Sequence, residues 1–289
     1  MAENVRFLVP DGYPKESRDQ FDEVGMTLAG VLYEKMLLKY LPDAQCDIWY
    51  TSDAPDQAPD DETLAGYAGI LWPGCNLTVY HDDERCKCHI SLARRAFELG
   101  VPGIGSCWGI QLPVYVAGGK VEPHPKGREM GVIRDIQVTE EGRKHPMFAG
   151  KPPLYSHFLT HDDYITALPE GTVALAGNAW SPVQATVVKY RNGEFWGVQY
   201  HPEYDLHEMA RLIIAREEKL VRQAYFRGHE DLMAYVARLE ELHAEPGRKD
   251  LRWQLGIDDT ILVDEIRQRE FINWLNYLVL PKAGVAKKV

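Results

Sequence analysis

The stretch Val101-Pro-Gly-Ile-Gly-Ser-Cys-Trp-Gly-Ile-Gln111 decides the fold of this 289-residue chain. A short apolar strand, with Ile104 as its last large residue, runs into a Gly-x-Cys-x-Gly turn at Gly105, Cys107 and Gly109. An apolar helix-like run then continues to Val116 and stops at Gly118-Gly119. Glycine leaves room for a strained strand-to-helix turn, so the central side chain stands exposed above the sheet edge, as in a nucleophile elbow. The central residue is a cysteine. The helix beginning just past it offers free N–H groups and a positive dipole end, which favour a thiolate. Buried free cysteines are also ordinary packing residues, so Cys107 needs a partner before it reads as catalytic.

The partner lies about ninety residues on, in Phe195-Trp-Gly-Val-Gln-Tyr-His-Pro-Glu203. Read as a strand, this stretch has a period of two that sets His201 and Glu203 on one side. A cysteine nucleophile needs a base within hydrogen-bond reach, and the base needs a third group to orient it. His201 fits the base and Glu203 the orienter. His161 competes for the role of base, but His201 has the carboxylate beside it.

Together the two stretches resemble the paired signatures of the class I glutamine amidotransferases, whose triad is Cys-His-Glu. Two further segments fit. Ile70-Leu-Trp-Pro-Gly-Cys75 is similar to the strand and glycine loop that completes the oxyanion hole in that family. Thr160-His161-Asp162 is similar to the segment that holds the amino-acid end of glutamine. The resemblance covers roughly residues 5–205. It implies an α/β fold with a parallel or mixed central sheet flanked by helices, flavodoxin-like, plus C-terminal helices. It also implies the catalytic set Cys107, His201 and Glu203, oxyanion donors at Gly74 and Trp108, and substrate contacts from Gln111, Thr160 and His161. One departure stands out: the family more often has two glycines followed by proline where this chain has Pro73-Gly74-Cys75. Proline has no N–H, so Pro73 cannot donate, while Gly74, the donor the resemblance implies, still can. Cys75 reads as a packing residue.

The implied chemistry is attack of Cys107 on the γ-carbonyl of a glutamine-like amide, through a γ-glutamyl thioester, with water releasing glutamate. The substrate is then glutamine or a γ-glutamyl amide. Such enzymes pass ammonia to a synthetase, but this chain shows neither a Walker-type phosphate loop nor a Ser-Gly-Gly-x-Asp-Ser motif. The first expectation is therefore a glutaminase feeding a separate synthetase partner. The alternatives are a stand-alone hydrolase of γ-glutamyl amides or peptides releasing an amine, and a non-enzymatic regulator on the same fold.

Composition narrows the class. A formal net charge of −11 argues against nucleic-acid and membrane-surface partners, which favour a basic face. The 45% hydrophobic content suits a sizeable core. The chain enters a strand almost at once at Val5, without a signal-like segment or a long apolar run. A cytoplasmic setting is expected, where Cys107 stays reduced. Cys86, Cys88 and His89 form a Cys-x-Cys-His cluster with no second half, so a helix start is expected there rather than a metal site. No cofactor is expected. His81, in the acidic run that opens the same helix, reads as an exposed loop residue.

In chain order, strands are expected at Val5–Val9, Cys46–Tyr50 and Tyr67–Trp72, and helices over Gly25–Leu41 and Arg85–Leu99. Further strands are expected at Met130–Ile133 and Leu154–Thr160, and antiparallel strands at Thr172–Gly177 and Val183–Lys189. Arg191-Asn192-Gly193 reads as a hairpin turn before Phe195–Tyr200. Strands separated by helices imply parallel pairing, with ligands at the carboxyl ends of the strands. The expected division is an amidotransferase-like domain at 1–205 and a helical extension at 206–289. In the extension, helices are expected over Leu206–Phe226, Asp231–His243 and Asp258–Leu278, followed by a frayed tail over Lys282–Val289. The apolar stripe of the last helix suits packing on the main domain or a homo-oligomer face.

Overall fold

The computed structural model describes residues 5–284. The last five residues of the expected tail lie outside them. The strands are β1 Arg6–Asp11, β2 Gln45–Tyr50, β3 Gly69–Trp72, β4 Gly103–Ser106, β5 Lys120–Pro123, β6 Glu129–Val138, β7 Leu154–His161, β8 Asp163–Ala167, β9 Ala174–Gly177, β10 Ala185–Tyr190 and β11 Gly193–Val198. Nine of them form one sheet in the order β2-β1-β3-β4-β11-β10-β9-β6-β7, and β5 pairs with β8 apart from it. From β2 to β11 the neighbours run parallel. From β11 to β7 they run antiparallel. The sheet is therefore mixed, its parallel half built from strands that alternate with helices.

Those helices are α1 Lys15–Glu23, α2 Ala29–Tyr40, α3 Asp61–Ala65, α4 Glu84–Leu99 and α5 Trp108–Val116. Alternate residues of β1 point to opposite faces, as the pleat requires. Phe7 and Val9 join α2 residues Tyr33, Met36 and Leu37 in one core. Leu8 joins Leu92 and Phe97 of α4 and Ile110 and Leu112 of α5 in the other. The sheet is thus covered on both sides, which explains its continuous apolar strands. α4 starts where Asp83 caps the backbone N–H of Arg85 at 2.9 Å and ends at Gly100 in the left-handed region.

The expected helix over Gly25–Leu41 is shorter, beginning at Ala29. The sequence reading passed over α1, which buries only Ser17, Arg18 and Phe21 and so carries little apolar periodicity. The expected strand Phe195–Tyr200 belongs to β11, which ends at Val198. Its hairpin with β10 turns at Arg191-Asn192 as expected.

α6 is Glu140–Lys144, and after residue 205 follow α7 Leu206–Ala215, α8 Glu217–Arg222, α9 His229–Ala244 and α10 Lys249–Leu255. The helix expected over Leu206–Phe226 breaks at Arg216, whose backbone angles are φ −112° and ψ 14°. The helix expected over Asp258–Leu278 is also interrupted. It divides into Asp259–Leu262, Asp264–Arg267, Arg269–Trp274, a π-helical turn Leu275–Val279 and Leu280–Lys282. The cause is that its apolar residues serve two cores. Ile261 packs with α7 and α9. Phe271, Trp274, Leu275 and Val279 enter the sheet core beside Phe7 and Tyr33. Val263, in extended backbone between the first two pieces, lets the chain change direction. Trp274 lies so close to Gly69 that a Cβ there would come within 2.6 Å of its ring. The extension therefore packs on the sheet, as the stripe suggested.

Candidate active site

Three neighbouring strands end at the same edge. β3 runs into Pro73-Gly74-Cys75, β4 into Cys107, and β11 toward His201, with β4 between the other two. Adjacent strands lie about 4.8 Å apart, so residues just past their ends fall within reach of one another. Cys107 stands at φ 54° and ψ −108°, a conformation side chains rarely adopt, which is the strain expected of the elbow. Its backbone N–H donates to Val198 O of β11 at 2.8 Å, fixing the turn against the neighbouring strand. The flanking glycines are needed for contact. A Cβ at Gly105 would meet the carbonyl oxygens of Gly109 and Trp72 at 2.8 Å, and one at Gly109 would lie 2.3 Å from that of Trp72.

His201 and Glu203 meet, though not by the pleat expected of a strand. Both lie beyond β11, in the turn before α7. There His201 Nδ1 is 2.7 Å from Glu203 Oε1. Glu203 Oε1 also accepts from Ser106 Oγ at 2.9 Å, so the residue before the nucleophile steadies the carboxylate. The His201 ring stacks on Tyr204, with centroids 4.2 Å apart and planes 3° apart. Nε2 is buried, makes no conventional hydrogen bond among the described residues, and is left to Cys107. Burial pushes the imidazole down, but the Glu203 carboxylate and the Cys107 sulfur outweigh it and raise it to about 10. Gly74 fits between base and nucleophile: a Cβ on it would lie 2.9 Å from His201 Cε1 and 3.1 Å from Cys107 Cβ.

These residues open onto a cavity of about 210 Å³. Trp108, Gln111, Thr160 and His161 line it with Cys107 and His201. Trp108 is the first residue of α5, where backbone N–H groups have no partner within the helix. Gln111 Nε2 donates to Asp163 O at 3.1 Å and to Gln199 Oε1 at 3.3 Å. The Thr160 carbonyl faces the Cys107 sulfur at 3.6 Å, and its hydroxyl accepts from Arg128. His161 is held by both ring nitrogens: Nδ1 lies 2.8 Å from Asp163 O and Nε2 lies 2.9 Å from Glu129 Oε2. Both ring nitrogens are thus engaged by fixed partners, and neither is left facing the thiol. That geometry removes His161 from competition as the base.

The other sequence candidates lie away from the chemistry or support it from behind. His81 is exposed, packs edge-on against Tyr80 and is not among the cavity-lining residues. Cys86 and Cys88 donate to the carbonyls of Thr78 and Arg85. His89 is fully buried, accepts from Trp72 Nε1 at 3.1 Å, lies 2.7 Å from Thr51 Oγ1 and packs edge-on against Trp108. Burial drops its imidazole to about 3, so it acts as a neutral brace behind the oxyanion segment. Among the described residues no group of three or more His, Cys, Asp or Glu is placed to hold a metal. Cys75 lines the cavity and also packs against two of the cores, and burial pushes its thiol up. Tyr13, Ser106, Arg216 and Lys219 were not foreseen. They come to the site from separate elements, and no local pattern marks them.

An elbow cysteine, a buried histidine–carboxylate pair and a small cavity at the carboxyl edge of a mixed sheet define the class: an α/β enzyme of acyl transfer. The family model for class-I glutamine amidotransferases matches residues 29–219. A γ-glutamyl-L-1-hydroxyisopropylamide hydrolase from Pseudomonas sp is 30% identical over 286 residues, covering 97% of this chain and 95% of that relative. A glutamine-hydrolyzing GMP synthase of Lactococcus lactis subsp. cremoris is 41% identical over 135 residues, which are 47% of this chain but 24% of that protein. Among solved structures, a glutamine amidotransferase from Thermotoga maritima has a TM-score of 0.64 at 19% identity, covering 93% of this chain and 98% of its own. A glutamine amidotransferase from Methylobacillus flagellatus gives 0.64 at 17%, covering 95% of each chain. These two likenesses establish the fold. The chain belongs to the class-I glutamine amidotransferase family and is an enzyme of amide hydrolysis.

Proposed function

We propose that this chain cleaves the γ-amide of glutamine through a γ-glutamyl thioester on Cys107, releasing glutamate and ammonia, with a separate synthetase receiving the ammonia. His201 Nε2 holds the thiol proton, as the imidazolium of a thiolate–imidazolium pair, and gives it to the leaving nitrogen, while Glu203, steadied by Ser106, holds the ring. The backbone N–H groups of Gly74 and Trp108 receive the oxyanion, and Gln111, Thr160 and His161 form the wall that meets the glutamyl group. Water then enters from the cavity, and the same imidazole activates it to release glutamate. The observation that carries this reading is the convergence of Cys107, His201 and Gly74 from three adjacent strands, with Cys107 and His201 lining one small cavity. Among the described residues no helix is long and apolar enough to cross a membrane. A cytoplasmic setting suits a mechanism that needs a reduced thiol.

A second reading, hydrolysis of a substituted γ-glutamyl amide with release of an amine, has its own support. The Pseudomonas relative aligns over nearly the whole chain, extension included, whereas the match to the GMP synthase covers only about half of it. The two readings share every step and differ in the leaving group. Glutamate release from glutamine and from γ-glutamyl ethylamide separates them. The first reading predicts the larger kcat/KM for glutamine. The reverse order would establish the second, and no release from either would contradict both.

A further inference from the structure

Three cations line the cavity, and two of them, Arg216 and Lys219, come from the extension. Arg128 and Lys219 are engaged. Arg128 donates to Thr160 Oγ1 at 2.7 Å and to Asp162, and Lys219 Nζ donates to the same Asp162 carboxylate at 2.7 Å. Burial pushes the Asp162 carboxyl up, but the two cations prevail and hold it below the usual carboxylate range. Arg216 differs. Among the described residues no carboxylate lies within ion-pair distance of it. It occupies the break between α7 and α8, and its guanidinium sits 5.4 Å from the centroid of the Phe21 ring. Phe21 in turn packs edge-on against Tyr13, centroids 4.9 Å apart, and Tyr13 lines the cavity with Cys75 and Cys107. Arg216 stands at the break between α7 and α8 and lines the pocket wall there.

A guanidinium stays charged at every accessible pH, and in a partly dry pocket an uncompensated cation attracts an anion far more strongly than at the surface. Every γ-glutamyl substrate carries a carboxylate on its α-carbon, and a γ-glutamyl amino acid carries a second on its leaving amine. We propose that Arg216 is a specificity-determining residue that binds a carboxylate of the substrate, making the α7–α8 break part of the recognition surface. The proposal rests on the cavity being the γ-glutamyl amide site.

The test uses full-length wild type and Arg216→Gln with four ligands: L-glutamine, 4-aminobutanamide, which lacks the α-carboxylate, γ-glutamyl ethylamide and γ-glutamylglycine. Affinities are measured by calorimetry in a Cys107→Ala background, and kcat/KM with Cys107 intact. If Arg216 holds the α-carboxylate, Arg216→Gln weakens the three glutamyl ligands about tenfold or more and leaves 4-aminobutanamide unchanged. If it holds an acid on the leaving amine, only γ-glutamylglycine suffers. Arg216→Lys, which keeps the charge, recovers part of either loss. An equal change for all four ligands, or a change for none, overturns the proposal. Affinities that sort by carboxylate alongside a wild type without turnover would uphold Arg216 and refute the hydrolytic reading, so the two failures are distinguishable.

Discussion

At the residue scale, the site depends on the charge of one imidazole. Burial works against protonated His201, and the Glu203 carboxylate with the Cys107 sulfur outweighs it, raising the group to about 10. A folded value above the unfolded one, about 6.5, means the pair's contribution to stability is complete below the unfolded range. It is lost as pH rises through the folded value. Replacing Glu203 by Gln keeps a hydrogen-bonding side chain but removes the charge. The alkaline limb of the kcat/KM profile should then move down by about one unit or more, and the loss of thermal stability at high pH should shrink with it. Superimposable profiles for wild type and Glu203→Gln would show that Glu203 does not set the charge. Cys107, His201 and Glu203 were legible in the sequence because each belongs to a short local pattern. What held the last two together was not legible. The strand period placed them side by side, whereas the chain leaves the sheet at Val198 and a turn brings them together. Tyr13 and Arg216 carried no signal at all, and Ser106, though it stands in the elbow stretch, meets Glu203 only once β4 and the turn after β11 come together.

At the scale of elements, the C-terminal helices are tied to the turn that carries His201 by buried polar contacts. Lys151 and Glu270 form an ion pair at 3.1 Å with almost no exposure, and Lys151 also donates to the carbonyls of Ile266 and Arg267. Glu270, in the helix Arg269–Trp274, accepts from the hydroxyl of Tyr200, the residue before His201. Tyr200 is further held by Tyr155 at 2.9 Å and stacks on His157. Burial lowers the Lys151 ammonium, with Glu270 resisting that shift. Removing one member of such a pair leaves the other charge uncompensated. Glu270→Gln should therefore cost about 3–5 kcal/mol, seen as a lower urea midpoint at unchanged slope. The double variant Lys151→Met with Glu270→Leu should recover most of that loss. A change below about 1 kcal/mol for the single variant, the value of an exposed pair, would show that the pair is solvated. The sequence marked the apolar stripe of this segment and its packing on the sheet. It did not mark the breaks near Val263 and Arg269, because a one-dimensional period cannot tell one core from two. The short α1 was missed for the opposite reason, since it buries too little to show a period.

At the scale of the whole molecule, the parallel half of the sheet brings Cys107, His201 and the Gly74 loop to one edge, and α7 and α8 add Leu212, Arg216 and Lys219 to the cavity wall. The order of strands and helices was readable from alternating apolar patterns, and the family resemblance supplied the shared edge. The antiparallel run β9-β10-β11 was readable from its hairpin signal, whereas the addition of β6 and β7 beyond it and the contribution of α7 and α8 to the cavity required the folded chain. The central claim is that substrate is cleaved through a glutamyl thioester on Cys107. It is tested most directly by supplying hydroxylamine with a γ-glutamyl amide substrate and measuring γ-glutamyl hydroxamate beside glutamate. A thioester partitions between water and the stronger nucleophile. Wild type should therefore form hydroxamate at the expense of glutamate, in a ratio that rises with hydroxylamine, and Cys107→Ala should form neither product. Glutamate release by Cys107→Ala at the wild-type rate would contradict the account.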